Sequence, residues 1–196
     1  MNSNESQHLE IVAGPNGSGK STFAQSYLVR VLGRTTYLNP DIIVSGVSPT
    51  NSPKASFHAG RIFLTELKDR IRKHEFVGFE TTLSGLTYVK LLESARASGY
   101  RITIYFLFTK SSRINIARIK KRVAMGGHNI PTKDVLRRFK RSFFNFWMHY
   151  KDLADEWIIF DNSDVKPKVI SNREMHLHLP PAEALAFETK FLKAKF

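Results

Sequence analysis

Apolar and polar positions along the chain switch between the period of strands and the period of helices. The apolar run His8 to Ala13 (HLEIVA) predicts a strand, and a glycine-rich turn follows it at once. A helix is expected from about Lys20 to Leu32, ended near Gly33. Thr35 to Asn39 (TTYLN) reads as a second strand, stopped by Pro40, and Ser45 to Pro53 as a loop broken by Gly46 and Pro49. From Lys54 to His74, Ala59, Phe63, Leu67 and Ile71 recur at every fourth position, the buried stripe of an amphipathic helix. Phe76 to Phe79 is the third expected strand, and Tyr88 to Ala97 the next helix, ended by Gly99. Arg101 to Phe108 (RITIYFLF) is almost continuous in β-branched and aromatic residues, the pattern of a central strand buried on both faces.

Two helices follow, Ser111 to Ala124 and Thr132 to Leu153, separated by Met125-Gly126-Gly127-His128. In the second, Phe139, Phe143, Trp147 and Tyr150 form a stripe that reads as core rather than as a base-stacking platform. Glu156 to Phe160 (EWIIF) is the fifth expected strand, and a less regular tail with Pro180-Pro181 follows. The alternation predicts one α/β domain over residues 1–196, with a parallel five-stranded sheet flanked by helices and a C-terminal extension from about residue 164.

Composition narrows the chemistry. With 42% hydrophobic and 24% charged residues, the 196-residue chain is globular, which excludes a mainly disordered protein. It has no cysteine, so disulfides, zinc-thiolate sites and thiol catalysis are excluded. The polar start MNSNESQHLE lacks the apolar region of a secretory signal, and no apolar run approaches the ~20 residues of a membrane helix. A cytoplasmic protein with no membrane partner is expected. The net charge of +13 points to a phosphate-bearing partner, small molecule or nucleic acid. Eleven Lys and Arg against one acid, Asp134, lie between Lys110 and Arg141. His176 and His178 alternate in the tail and remain unassigned, since two histidines without a third ligand do not make a metal site.

One motif is complete. Gly14-Pro15-Asn16-Gly17-Ser18-Gly19-Lys20-Ser21-Thr22 matches the G-x-x-x-x-G-K-[ST] phosphate-binding loop between an expected strand and an expected helix. Its glycines let backbone N–H groups turn around the phosphates, and the helix directs its positive end at the same anion. Lys20 would reach the β- and γ-phosphates and the Ser21 hydroxyl would ligate Mg²⁺. ATP is the expected nucleotide, because no N-K-x-D string is present to read guanine, and the adenine is expected near Asp161-Asn162-Ser163.

The same loop occurs in transport-type ATPases, which need an LSGGQ-like signature and a strand ending in Asp-Glu. Here Leu83-Ser84-Gly85 continues as Leu86-Thr87 and no strand ends that way. A small-molecule kinase fits better. Asp41 follows the second strand directly, and in a doubly wound sheet such strand ends face the ligand crevice, opposite Lys20. As a carboxylate beside an acceptor hydroxyl it would serve as base, or else it caps the segment after it. Glu80, Thr81 and Thr82 end the third strand on the same edge and could hold substrate hydroxyls, or be turn chemistry.

Taken together, the phosphate loop, Asn39-Pro40-Asp41, the run ETTLSG from Glu80 to Gly85 and the run R-V-x-x-G-G-H from Arg122 to His128 resemble the zeta toxin family, over about Leu9 to Ser163. The resemblance implies a P-loop kinase of a toxin–antitoxin system that phosphorylates a sugar hydroxyl of UDP-N-acetylglucosamine, with ATP and Mg²⁺ as cofactors and an antitoxin as possible partner. It makes Lys20 a phosphate ligand, Asp41 the base, Glu80 and Thr82 sugar-nucleotide ligands with His128 as a further candidate, and Arg118 or Arg122 the arginine that steadies the migrating phosphoryl group. Founder-type members carry a second arginine about where this chain has Gly127-His128, so it is similar to a chromosomal branch. Arg118 with Arg122, and Arg137 with Arg141, each share a helical face, so residues 111–141 read as a basic lid about a Gly-Gly hinge. The alternatives are a kinase of another hydroxyl metabolite (a nucleoside, dinucleotide or antibiotic) and a nucleic-acid-associated ATPase.

Overall fold

Strand β1 (His8–Ala13) is buried from Leu9 onward, which is possible only with neighbours on both edges and both faces. The computed structural model, which describes residues 7–29, 38 and 53–174, provides them. β2 (Val77–Thr81) and β3 (Arg101–Phe108) flank β1 in parallel, and β4 (Glu156–Asp161) extends the sheet in parallel beyond β3. The register sets Ala13 opposite both Thr81 and Phe106, and Phe108 opposite Asp161. The carboxyl ends of these strands therefore form one edge, where the phosphate loop begins.

Alternation sorts β1 between two cores. Leu9, Ile11 and Ala13 join Phe79, Ile104 and Phe106 beneath α2 (Pro53–Arg72), whose Ala59, Phe63, Leu67 and Ile71 form the expected buried stripe. Val12 faces the other way, into a smaller cluster with Phe23, Tyr105, Leu107 and Phe160. α3 (Val89–Ala97), α4 (Ser112–Ala124) and α5 (Thr132–Asn145) follow in order. The aromatic stripe is core at Trp147 and Tyr150, and Phe143 packs against it. A third cluster of Ile119, Ile130 and Val135 holds α4 to α5.

The expected α/β class with a five-stranded sheet is observed among the described residues, but the sheet, expected to be parallel, is mostly so and its strands differ in detail. The fifth described strand is β5 (Lys168–Asn172), antiparallel to β4, in a stretch expected to be irregular tail. Alternation is weak there and only Ser171 is buried, so pairing along the exposed edge of β4 makes this strand. Of the expected strand Thr35 to Asn39, Leu38 lies among the described residues and bridges Phe79 in parallel on the outer edge of β2. The helix after the phosphate loop is α-helical only as α1 (Lys20–Phe23) and widens into a π-turn over Ala24–Val29. Phe23 and Tyr27 stack there at 5.2 Å, beside Tyr105. The second basic helix ends as α-helix at Asn145 and continues as a π-turn over Phe146–Tyr150 and a short 3₁₀ turn, Lys151–Leu153. Lys54 to His74 and Tyr88 to Ala97 agree with α2 and α3 to within two residues at each end.

Candidate active site

The phosphate loop is held by a different neighbour at each of its glycines. Gly14 has φ +138°, and a Cβ there would meet the Leu107 carbonyl oxygen at 2.0 Å. At Gly17 (φ +80°) it would meet the Asn115 backbone oxygen at 2.6 Å, and at Gly19 (φ +94°) Asn162 Nδ2 at 2.3 Å. Only glycine tolerates both the close approach and the left-handed backbone. The same neighbours supply polar tethers. Asn115 Nδ2 donates to Asn16 O (2.7 Å), and Asn162 Nδ2 to Ser18 O (2.7 Å). Asn115 is buried on α4 and in turn accepts a hydrogen bond from the Thr109 hydroxyl. Lys20 Nζ lies 3.1 Å from Pro15 O, folded over the loop it belongs to. The Ser18 hydroxyl is buried within the loop and has no hydrogen-bond partner among the described residues.

Opposite the loop stands the end of β2. Ser21 Oγ donates to Glu80 Oε2 at 2.7 Å, and Gly14 N donates to Thr81 O at 3.2 Å. Beyond Thr81 the chain turns through Leu83, whose φ is +49° although it is not glycine. That conformation costs of order 1 kcal/mol or more. It is offset by burial of the Leu83 side chain and by hydrogen bonds at both its backbone groups, from Leu83 N to Thr81 Oγ1 (3.2 Å) and from Asn145 Nδ2 to Leu83 O (2.9 Å). Tyr150 adds a bond from its hydroxyl to Gly85 O (2.7 Å). The turn thus presents Thr82 and Ser84, whose hydroxyls lie 2.9 Å apart, to the space beside the phosphate loop. Tyr88 closes that side, and burial pushes its phenol above the ordinary value against a weaker opposing hydrogen bond to Thr81.

Between loop, β2 edge, α4 and the segment after β4 lies a cleft of about 1340 Å³. Lys20, Ser21, Glu80, Thr82, Arg118 and Arg122 all line it, as does Asn162 of the segment expected near adenine. His128 does not: Gly127 lines the cleft, while His128 is exposed and its carbonyl accepts a 2.7 Å bond from Arg122 Nη2. Arg118 is also engaged, donating to Asn162 O (2.8 Å) and Ser163 O (3.3 Å). The expected base, Asp41, lies outside the described residues, as do His176 and His178. The Gly126-Gly127 step, expected to be a hinge, has a definite geometry: Gly126 takes φ +83°, and a Cβ on Gly127 would meet Arg122 Cγ at 2.5 Å.

Sequence reasoning missed Arg138 and Asn115 in the cleft's frame, and placed Asn162 near adenine without its bond to the phosphate loop. Arg138 of α5 donates to Asn16 Oδ1 of the phosphate loop at 3.1 Å and lines the cleft, unlike Arg137 or Arg141. Nothing in the spacing separates it from its basic neighbours. Asn115 did leave a signal, as a short polar residue one turn before the buried Ile119 on the same helical face. Asn162 stood out only by its place after β4, and its grip on Ser18 O is a tertiary fact. Among the described residues no group of His, Asp and Glu forms a metal cluster, and no helix is long and apolar enough to cross a membrane.

Comparison with known proteins agrees with this architecture. An uncharacterized protein of Haemophilus influenzae (strain ATCC 51907 / DSM 11121 / KW20 / Rd) is 33% identical over 129 residues, which are 64% of this chain and 88% of that protein. Among solved structures, one of the PezAT chromosomal toxin–antitoxin system of Streptococcus pneumoniae superposes with a TM-score of 0.68 at 13% identity, over 97% of this chain and 80% of that one. A structure of AvrRxo1-ORF1 with ORF2 and ATP gives a TM-score of 0.69 at 14% identity, over 99% and 66%. These two likenesses are of fold, and they match the P-loop, kinase-like architecture that the zeta toxin resemblance implies. The AAA domain family (AAA_33) matches residues 9–146, a span that runs from β1 through the phosphate loop and both basic helices, and the chain belongs to that family.

Proposed function

We propose that this protein is an ATP-dependent kinase of a small hydroxyl-bearing molecule, of the zeta toxin type, with a UDP-sugar such as UDP-N-acetylglucosamine as acceptor. The observation that carries the reading is the shared cleft: the phosphate loop's Lys20 and Ser21 line it together with Glu80, Thr82, Arg118 and Arg122. The basic segment turns Arg118, Lys121, Arg122 and Arg138 toward this concave cleft, which favours a small phosphate-bearing ligand over a polynucleotide track.

The residues fit a nucleotide and its divalent cation. The unpartnered Ser18 hydroxyl sits inside the loop, and the Ser21 hydroxyl with the Glu80 carboxylate makes the hard oxygen pair that Mg²⁺ prefers. Ser21 and Glu80 would hold the ion, which neutralises phosphate charge when bound. Loop backbone groups and Lys20 hold the β- and γ-phosphates, and Thr82 binds the acceptor. Asp41 orients the acceptor hydroxyl and takes its proton. The hydroxyl oxygen bonds to the γ-phosphorus as the bond to the bridging oxygen breaks, ADP leaves, and Arg118 or Arg122 steadies the charge in passage. A toxin role and an antitoxin partner follow the same resemblance, supported by the fold shared with the PezAT chain.

Mass analysis of products after mixing the protein with ATP, Mg²⁺ and a panel of UDP-sugars and nucleosides tests the reading. A UDP-sugar one phosphoryl group heavier, formed by the wild type and not by Lys20→Ala, is expected. Transfer to a nucleoside alone would shift the acceptor class, and no transfer to any hydroxyl would remove the kinase. Induced expression in a bacterial host should arrest growth, with relief by Lys20→Ala. Asp41→Asn should lower single-turnover transfer by roughly 10²-fold with ATP affinity nearly unchanged. A mutant destabilised by about 1 kcal/mol yet fully active would make Asp41 a helix cap instead.

A further inference from the structure

Beside the main cleft is a second, smaller cavity of about 300 Å³. It shares Thr81, Thr82, Ser84, Tyr88 and Arg138 with the cleft, so the two meet at the β2 turn, away from Asn162 and the segment expected to hold adenine. On its far side stand Arg137 and Arg141 of α5, which do not line the main cleft. Among the described residues no acid lines it.

Three guanidiniums on one side of a helix repel one another, and α5 holds Arg137, Arg138 and Arg141 within about one turn. Arg137 is paired outward with Asp134 (2.7 Å) and Arg138 with Asn16 (3.1 Å), while Arg141 has no hydrogen bond or ion pair among the described residues. Facing them is the strained turn at Leu83, held in place from behind by Asn145 and Tyr150 and carrying the Thr82, Ser84 and Thr87 hydroxyls. A rigid wall of neutral hydroxyl donors opposite a row of arginines suits an oxyanion, which accepts from both. The cavity is concave and at the small end of small-molecule sites, too short for a nucleic-acid track.

We propose that this cavity is an anion subsite that takes a phosphate or diphosphate group of the acceptor. Arg137 and Arg141 supply the charge, the Thr82–Thr87 turn supplies hydroxyl donors, and Arg138 bridges the subsite to the phosphate loop. The inference rests on the kinase reading for its place in a reaction, but its test reads binding and needs no turnover. Inorganic pyrophosphate is titrated calorimetrically into the full chain already saturated with a non-hydrolysable ATP analogue, so that the phosphate loop is filled. One pyrophosphate per chain should bind. Arg137→Ala with Arg141→Ala should weaken it about tenfold or more, and Arg141→Lys should retain part of the affinity.

No binding to the nucleotide-filled protein, or equal affinity in the double variant, overturns the subsite. Displacement of pyrophosphate by an oligonucleotide without terminal phosphates overturns its assignment to a small molecule. The two readings fail separately. A protein that phosphorylates only uncharged alcohols, at the same rate in the double variant, is a kinase without this subsite. One that binds pyrophosphate through Arg137 and Arg141 yet phosphorylates nothing has the subsite and is no kinase.

Discussion

Ser21 Oγ and Glu80 Oε2 stand 2.7 Å apart, a hydrogen bond that ties the first turn after the phosphate loop to the end of the neighbouring strand. The resemblance assigns Glu80 to the sugar nucleotide, but this partner is the hydroxyl expected to face the metal. The bond makes the two groups a unit and gives them a shared test. Glu80→Gln keeps the shape and removes the charge. It should weaken Mg²⁺-dependent ATP binding about tenfold or more while metal-free ATP affinity changes little. Calorimetry with and without Mg²⁺ reads the difference. A raised KM for the acceptor with normal affinity for ATP and Mg²⁺ would return Glu80 to the substrate side.

Asn115 spans from Thr109 to the phosphate loop, with every polar atom of its amide buried. Asn115→Ala strands the Asn16 carbonyl and leaves the Thr109 hydroxyl with Ser111 O as its acceptor. Leaving buried polar groups unpaired costs about 1–3 kcal/mol, which lowers the melting temperature by several degrees in a chain of this size. The loop conformation should loosen with it, so ATP affinity should fall in the same variant. Asn115→Asp should be worse, because a carboxylate would face the Asn16 carbonyl oxygen. A melting point unchanged by both variants would show that the glycine contacts alone shape the loop.

Tyr150 gives the fold a dependence on alkaline pH. Burial pushes its phenol from 10.0 to about 12, and its hydroxyl donates to Gly85 O. As pH rises past about 10 the unfolded chain gives up this proton while the folded chain keeps it. The unfolded state then binds fewer protons, so stability falls until about 12 and no further through this group. Tyr100, raised to about 12 mainly by burial, acts in the same sense. Tyr150→Phe should therefore be less stable at neutral pH and show a shallower loss across this window, read from denaturant midpoints at each pH. Parallel curves for the two proteins would remove Tyr150 as the cause.

Much of the frame was legible because it repeats. The stripe from Ala59 to Ile71 and the unbroken run of β3 announce their burial through period and composition. The phosphate loop is legible for a different reason, since its glycines answer local steric demands that the motif itself encodes. Illegible features are those decided by the partner across space. β5 forms because β4 leaves an edge to pair with, and Lys168–Asn172 carries little pattern of its own. Arg138 looks like Arg137 and Arg141 in sequence, and only its bond to Asn16 of the phosphate loop singles it out. Leu83 is similar: a leucine at φ +49° has no sequence mark, and its strain is absorbed by Asn145, which lies far along the chain.

The arginines around the cleft differ in what they must release to reach a transferring phosphoryl group. Arg118 is held by three carbonyls of the segment after β4, Asn162 O, Ser163 O and Asp164 O, so it fixes that segment as much as it faces the cleft. Among the described residues the Arg122 side chain makes one bond, to the His128 carbonyl across the Gly126-Gly127 turn, and its buried Nε has no partner. A hinge movement there would break that single bond and free the guanidinium, whereas freeing Arg118 means dislodging the strand-end segment. Arg122 is therefore the better candidate for the residue that steadies the transition state. Removing such an arginine costs roughly 10³-fold or more in rate. Arg122→Ala should show that loss in single-turnover transfer with ATP affinity little changed. Arg118→Ala should chiefly raise the ATP dissociation constant, since the loosened segment includes Asn162, which grips the phosphate loop. Arg138→Ala should weaken ATP binding through Asn16. Measuring transfer and affinity on all three variants separates the roles. If Arg122→Ala stays within a few-fold of the wild-type rate while Arg118→Ala collapses, the strand-end arginine does the chemistry and the hinge does not deliver it.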